Sequence, residues 1–170
     1  MTIKKDLVQF CRCAMERGAI DTKVVSPAKV FTAAWVRLKC QYGCGGYGQC
    51  LTCPPHSPTP LETREVLDCY KQAILVRGDE TTNIRGIVAD MEREIFLAGY
   101  YKAFAYGCGP CSLCRECDFE KGCRHPYKAR PAMEAAGIDV FATARSAGMP
   151  IDVISGAGQC QSRYGLVLVR

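Results

Sequence analysis

Sixteen consecutive residues in the second half of the chain, CGPCSLCRECDFEKGC, place cysteines at 108, 111, 114, 117 and 123. Thiolates are soft ligands, and a loop that offers one at every third residue can reach successive corners of an iron–sulfur cubane. Ferredoxins use Cys-x2-Cys-x2-Cys with a more distant fourth cysteine, often followed by proline. Cys111, Cys114, Cys117 and Cys123 supply that arrangement, with Pro126 just beyond. Cys108, Cys111, Cys114 and Cys117 form an alternative, unbroken ladder. The set ending in Cys123 is favoured because its longer last step lets the loop close over the fourth iron. Cys108 is then spare, or serves another cluster as the fourth ligand does in two-cluster ferredoxins. Zinc is the rival metal, but structural zinc sites usually pair two short knuckles a dozen or more residues apart. Five thiols in sixteen residues crowd that geometry.

A second constellation, Cys40-x3-Cys44-x5-Cys50-x2-Cys53-Pro54, is less stereotyped but dense. Glycines at 43, 45, 46 and 48 let backbone amides come close to a cluster and hydrogen-bond its sulfur. The expectation is one or two [4Fe–4S] clusters in all, with structural zinc or free thiols as the alternative here. If only Cys40, Cys44 and Cys53 bind, one iron is left open to substrate or to another ligand, which His56 could provide. The remaining candidates have plainer readings. Cys11 and Cys13 lie on a helix where positions two apart face away from each other. Cys69 and Cys160 are read as buried small hydrophobes, and His125 as a supporting residue rather than a ligand. Ser155-Gly-Ala-Gly-Gln lacks the lysine and helix start of a phosphate loop.

These loops need a scaffold, and 170 residues suffice for a single domain, 1–170, whose core needs no metal to hold it. Apolar residues at 48% and charged residues at 23% fit an ordinary globular chain, whereas thirteen cysteines do not. The N-terminus carries Lys4, Lys5, Asp6, Arg12, Glu16 and Arg17, so it lacks the apolar run of a signal peptide, and no window approaches a membrane span. A cytoplasmic, reducing location with free thiols is expected. A [4Fe–4S] core in its 2+ state with four thiolates has a net charge of −2, so the formal +5 becomes +3 with one cluster and +1 with two.

The cysteine-rich loops, 40–58 and 108–126, interrupt a pattern of helices and strands. Residues 4–16 read as an amphipathic helix, and Val24, Val25, Val30, Phe31 and Val36 suggest short strands. The stretch 39–60 is too rich in glycine, proline and cysteine for regular structure. Thr59-Pro60-Leu61-Glu62 is a capping box that starts a helix to about Tyr70, followed by a strand at 73–76. A helix from about Asn83 carries Ile84, Ile87, Val88, Met91, Ile95 and Ala98 on one face. Tyr101–Tyr106 reads as a strand that aims the second loop. A short helix from Arg130 stops at Gly137, Asp139 caps another to about Ala147, and Tyr164–Val169 is a buried strand. The fold class expected is an α/β or α+β sandwich with a small mixed sheet, flanking helices and two cluster-binding loops.

Several of these segments resemble a family of small, cysteine-rich, predicted metal-binding proteins of anaerobic bacteria and archaea, domain of unknown function 2284. The matching residues are Trp35-Val-Arg-Leu-Lys-Cys40, Tyr42-Gly-Cys44, Tyr47-Gly48, Cys53-Pro-Pro-His-Ser-Pro58, Gly109-Pro-Cys111-Ser-Leu-Cys114, Cys123-Arg-His-Pro126, and Ala129-Arg-Pro131 through Gly137-Ile-Asp-Val140. The resemblance implies that Cys40, Cys44, Cys53, Cys111, Cys114, Cys117 and Cys123 are the regular cysteines, with Cys50 and Cys108 as additions.

The leading expectation is an iron–sulfur redox protein that transfers single electrons to a partner protein in an anaerobe. The first alternative is an enzyme whose first-loop cluster has an open iron acting as a Lewis acid. The second is a zinc-dependent structural or nucleic-acid-binding module using Arg115, Lys121, Arg124, Lys128 and Arg130. Glu116, Asp118 and Glu120 interrupt that patch and argue against nucleic acid. Nothing in the chain opposes a homo-oligomer.

Overall fold

The computed structural model describes residues 6–170. Its centre is a four-stranded sheet made of β1 (Asp21–Val25), β2 (Ala73–Gly78), β3 (Phe104–Tyr106) and β4 (Arg163–Leu168), in the spatial order β1-β2-β4-β3. Every neighbouring pair is antiparallel. The expected mixed sheet is therefore corrected to an antiparallel one, and the fold is α+β. The cause is the C-terminal strand. β2 and β3 run parallel to each other, as strands joined by a crossover helix should. However, β4 inserts between them and pairs antiparallel with both, giving a split strand–helix–strand unit.

The central strands are buried on both faces and alternate strictly. Ala73, Leu75, Tyr106, Tyr164, Leu166 and Leu168 enter one core, while Ile74, Val76, Ala105, Val167 and Val169 enter the other. The second core is closed by α1 (Leu7–Glu16) and α4 (Ile84–Leu97), which contribute Phe10, Ala14, Ile84, Val88, Met91 and Ile95. Gly165 permits that close packing: a Cβ there would stand 2.8 Å from both Ile84 and Val88. Of the expected first helix, positions 4 and 5 lie outside the described residues. The first core is closed by α3 (Pro60–Asp68), α5 (Val140–Ser146) and a 3-10 turn at Glu134–Ala136.

Local signals set the element ends. Thr59 and Glu62 form the capping box of α3, with Glu62 accepting from the Thr59 amide at 2.7 Å and donating its own amide to Thr59 Oγ1 at 3.2 Å. Asn83 caps α4 and Asp139 caps α5. Gly137 closes the 3-10 turn at φ +77°, a conformation that favours glycine. The helix expected from Arg130 is shortened to that turn.

Val24 and Val25 lie in β1 as expected, but Val36 stands on α2 (Ala34–Gly43), a helix that also takes the place of the irregular start of the first loop. Val36 is its one buried residue, so it lacks the apolar stripe that announces a helix. Its position comes from tertiary contacts: the Ala33 amide donates to Gly137 O at 2.9 Å, and Arg37 Nη2 donates to Ser57 O at 2.8 Å. Among the described residues no helix is long and apolar enough to cross a membrane.

Candidate metal centres

Both cysteine loops leave the scaffold at points that fix them tightly. The second loop begins where β3 ends, and its two ends are stitched together. The Gly107 amide donates to Pro131 O at 2.8 Å and the Met133 amide donates to Gly107 O at 3.0 Å. Helix α4 moors it at two further points. Arg85 donates to Ser112 Oγ at 2.8 Å, to Cys108 O at 3.1 Å and to Pro110 O. Glu92 pairs with Arg130 at the loop's exit through contacts of 2.5 and 2.6 Å, with both side chains largely buried. The first loop is held by α2 and by the 3-10 turn, with Ser57 Oγ donating to Ala135 O at 2.5 Å.

Nine of the thirteen cysteines line two adjacent cavities. The smaller, about 610 Å³, is walled by Cys111, Cys114, Cys117 and Cys123 of the second loop together with Cys50 of the first. The larger, about 880 Å³, is walled by Cys40, Cys44 and Cys53 of the first loop together with Cys108 of the second. Gly46 and Pro110 line both. Each loop therefore sends one cysteine into the other's cavity. Cys50 Sγ lies 3.8 Å from Cys111 O and beside the Cys117 thiol.

Seven of these nine cysteines are half-buried, with Cys44 and Cys123 exposed, so their sulfurs are partly shielded from water. Burial, reinforced by Cys53, Cys117 and Cys111, pushes the Cys50 thiol up to about 11. Burial also raises Cys40, with Cys44 and Glu134 adding to it, and raises Cys53 and Cys108. Glu134, packed between Cys40 and Cys108, is itself raised by burial. Such groups favour the protonated thiol until a cation stabilises the thiolate. Backbone donors are already aimed at sulfur: the Gly46 amide at Cys44 Sγ and the His125 amide at Cys123 Sγ, each at 3.4 Å. Walls rich in thiols, amides directed at sulfur and room for several atoms fit a polynuclear iron–sulfur group, although carboxylates also line them, Glu116 and Asp118 in the smaller cavity and Glu134, Asp139 and Asp152 in the larger. Among the described residues, no three His, Cys, Asp or Glu side chains converge closely enough to hold a single metal ion.

The chain was compared with known proteins. The model of the family described as "Predicted metal-binding protein (DUF2284)" matches residues 23–169. The chain belongs to this family. No curated protein and no solved structure matched. The DUF2284 match spans both cysteine loops and all four strands but β1's first residues, and it leaves out α1.

Other candidate residues lie elsewhere. His56 is exposed, lines neither cavity and rests its ring 5.0 Å from that of Phe119, joining the two loops. Cys69 and Cys160 are exposed rather than buried: Cys69 sits at the end of α3, and Cys160 Sγ lies 3.6 Å from Glu80. Cys11 and Cys13 are half-buried on α1, away from both cavities. Arg85, Glu92 and Glu134 were not singled out in the sequence. Charged residues inside the apolar periods of α4 and after Pro131 carry no local signal that they face the loops.

Proposed function

We propose that this DUF2284 protein is an iron–sulfur redox protein, with a [4Fe–4S] cluster in each of the two cysteine-walled cavities, that passes single electrons to a partner protein in an anaerobe. The observation that carries the reading is the partition of nine cysteines into two neighbouring cavities, four in one and five in the other. Four thiolates complete a [4Fe–4S] cluster, so the larger cavity has the number required and the smaller has one to spare. Within the smaller, the ladder Cys111, Cys114, Cys117 and Cys123 competes with sets that include Cys50. The bound clusters supply one-electron storage. The chain would orient their sulfurs, donate amide hydrogens to them and partly shield Cys50 and Cys108 from water.

The larger cavity favours a second reading of its own. Its wall continues beyond the cysteines to Trp35, Phe141 and Ile151, an apolar surface that a cluster alone does not need. If Cys108 does not bind, three thiolates leave one iron open beside that surface, and the site is catalytic rather than a carrier. Protein purified without oxygen is expected to absorb broadly in the visible through sulfur-to-iron charge transfer and to bleach on reduction. A colourless protein carrying stoichiometric zinc would overturn both readings. Cys108→Ala separates them: it strips the larger cavity of its cluster in a carrier and leaves that cluster in place in a catalyst.

A further inference from the structure

The two cavities are joined by the chain itself. Cys50 faces the smaller cavity and Cys53 the larger, while Cys108 faces the larger and Cys111 the smaller. Two Cys-x2-Cys segments, one from each loop, thus straddle the same wall and cross it in opposite senses. The first segment is a turn: the Cys53 amide donates to Cys50 O at 3.0 Å. A turn of this kind brings its end Cα atoms within about 7 Å, and the two thiols lie close enough to hydrogen-bond. The second segment spans at most about 11 Å even if fully extended. The wall between the cavities is no thicker than Gly46 and Pro110, which face both. Arg85 holds the second segment by its carbonyls, and its Nε is buried without a partner at this wall. That guanidinium lines the larger cavity, which becomes anionic when loaded.

We infer that the two centres form one electronically coupled pair built on exchanged ligands, Cys108 completing the larger-cavity set and Cys50 belonging to the smaller, so that the protein stores two electrons and equilibrates them internally. The inference rests on the iron–sulfur reading and deepens it. The balance is simple. A one-electron reductant takes one centre from 2+ to 1+, a second electron does the same to the other, and no bond or proton need move. Between those two events the single electron passes across the wall from one centre to the other.

Paramagnetic resonance of the whole protein, reduced stepwise with dithionite and read with iron and sulfide content, tests the pair. The expected result is a simple signal at half reduction and a broadened signal of about two spins at full reduction, the mark of two neighbouring centres. Cys108→Ala should then lose about half its iron and give the simple signal at any degree of reduction. Should that variant fail to fold, Cys108→Ser provides the second arm: it retains the side-chain size and changes the signal of one centre only. Two full-strength signals with no broadening would overturn the coupling while leaving the iron–sulfur reading standing. Full iron content and an unchanged spectrum in both Cys108 variants would overturn the exchanged ligand sets. Absence of iron and sulfide would overturn the reading beneath them.

Discussion

The sheet and the cysteine end of the molecule are held together by different forces. β2 and β4 pair through their backbones and are buried on both faces by side chains that alternate between two apolar cores, so apolar burial and the strand ladder stabilise them. The cysteine loops bury little apolar surface of their own. They are held by polar moorings, Arg85 and Glu92 on one side and Ser57 and Arg37 on the other, around walls of sulfur. On the proposed reading the first region should fold without metal, and the second should be completed by what it binds.

Leu166→Ala, at a wholly buried side chain of β4, should lower unfolding free energy by about 4 kcal/mol with or without metal. Urea denaturation of the loaded and metal-free proteins checks this; a loss seen only in the loaded form would break the division between the regions. Glu92→Ala leaves the largely buried Arg130 guanidinium without its carboxylate, with only the Pro126 and Ala129 carbonyls to bind, at a cost of about 3 kcal/mol. Its signature is regional: amide exchange should quicken at Gly107 and Met133, which tie the second loop's ends, more than in β2. Thr59→Ala removes the cap of α3 and should cost about 1 kcal/mol, leaving metal content unchanged.

Both regions respond to alkaline pH in the metal-free protein, since burial raises the Cys50 thiol as well as two tyrosines of the sheet, and the tyrosines carry the sheet's share. Burial pushes Tyr106 and Tyr164 up to about 12, against about 10 in the unfolded chain. A raised pKa means that the neutral phenol is the favoured form in the fold. Its contribution is complete below about pH 10 and is lost as pH rises toward 12. Metal-free protein should therefore show a urea midpoint that falls across that window, and Tyr164→Phe should flatten the fall.

Most of the scaffold is legible in the chain because its signals are local. The Thr59 capping box, the Asn83 and Asp139 caps, Gly137 and the periodicity of Ile84 to Ile95 each declare an element within a few residues. Helix α2 is not, since its single buried residue, Val36, leaves no stripe and distant partners hold it. The sheet order is not either, because β4 separates β2 from β3 only through long-range pairing. At the cysteine end the loops were legible as two dense runs. Their exchange of Cys50 and Cys108 was not, for spacing within a loop says nothing about which wall of the neighbouring loop a side chain meets.

The most direct test of the account is the metal and sulfide content of protein purified without oxygen, measured on the wild-type chain. The account predicts about eight irons and eight acid-labile sulfides per chain, with zinc at trace level. One zinc or more per chain, with no sulfide, would contradict it.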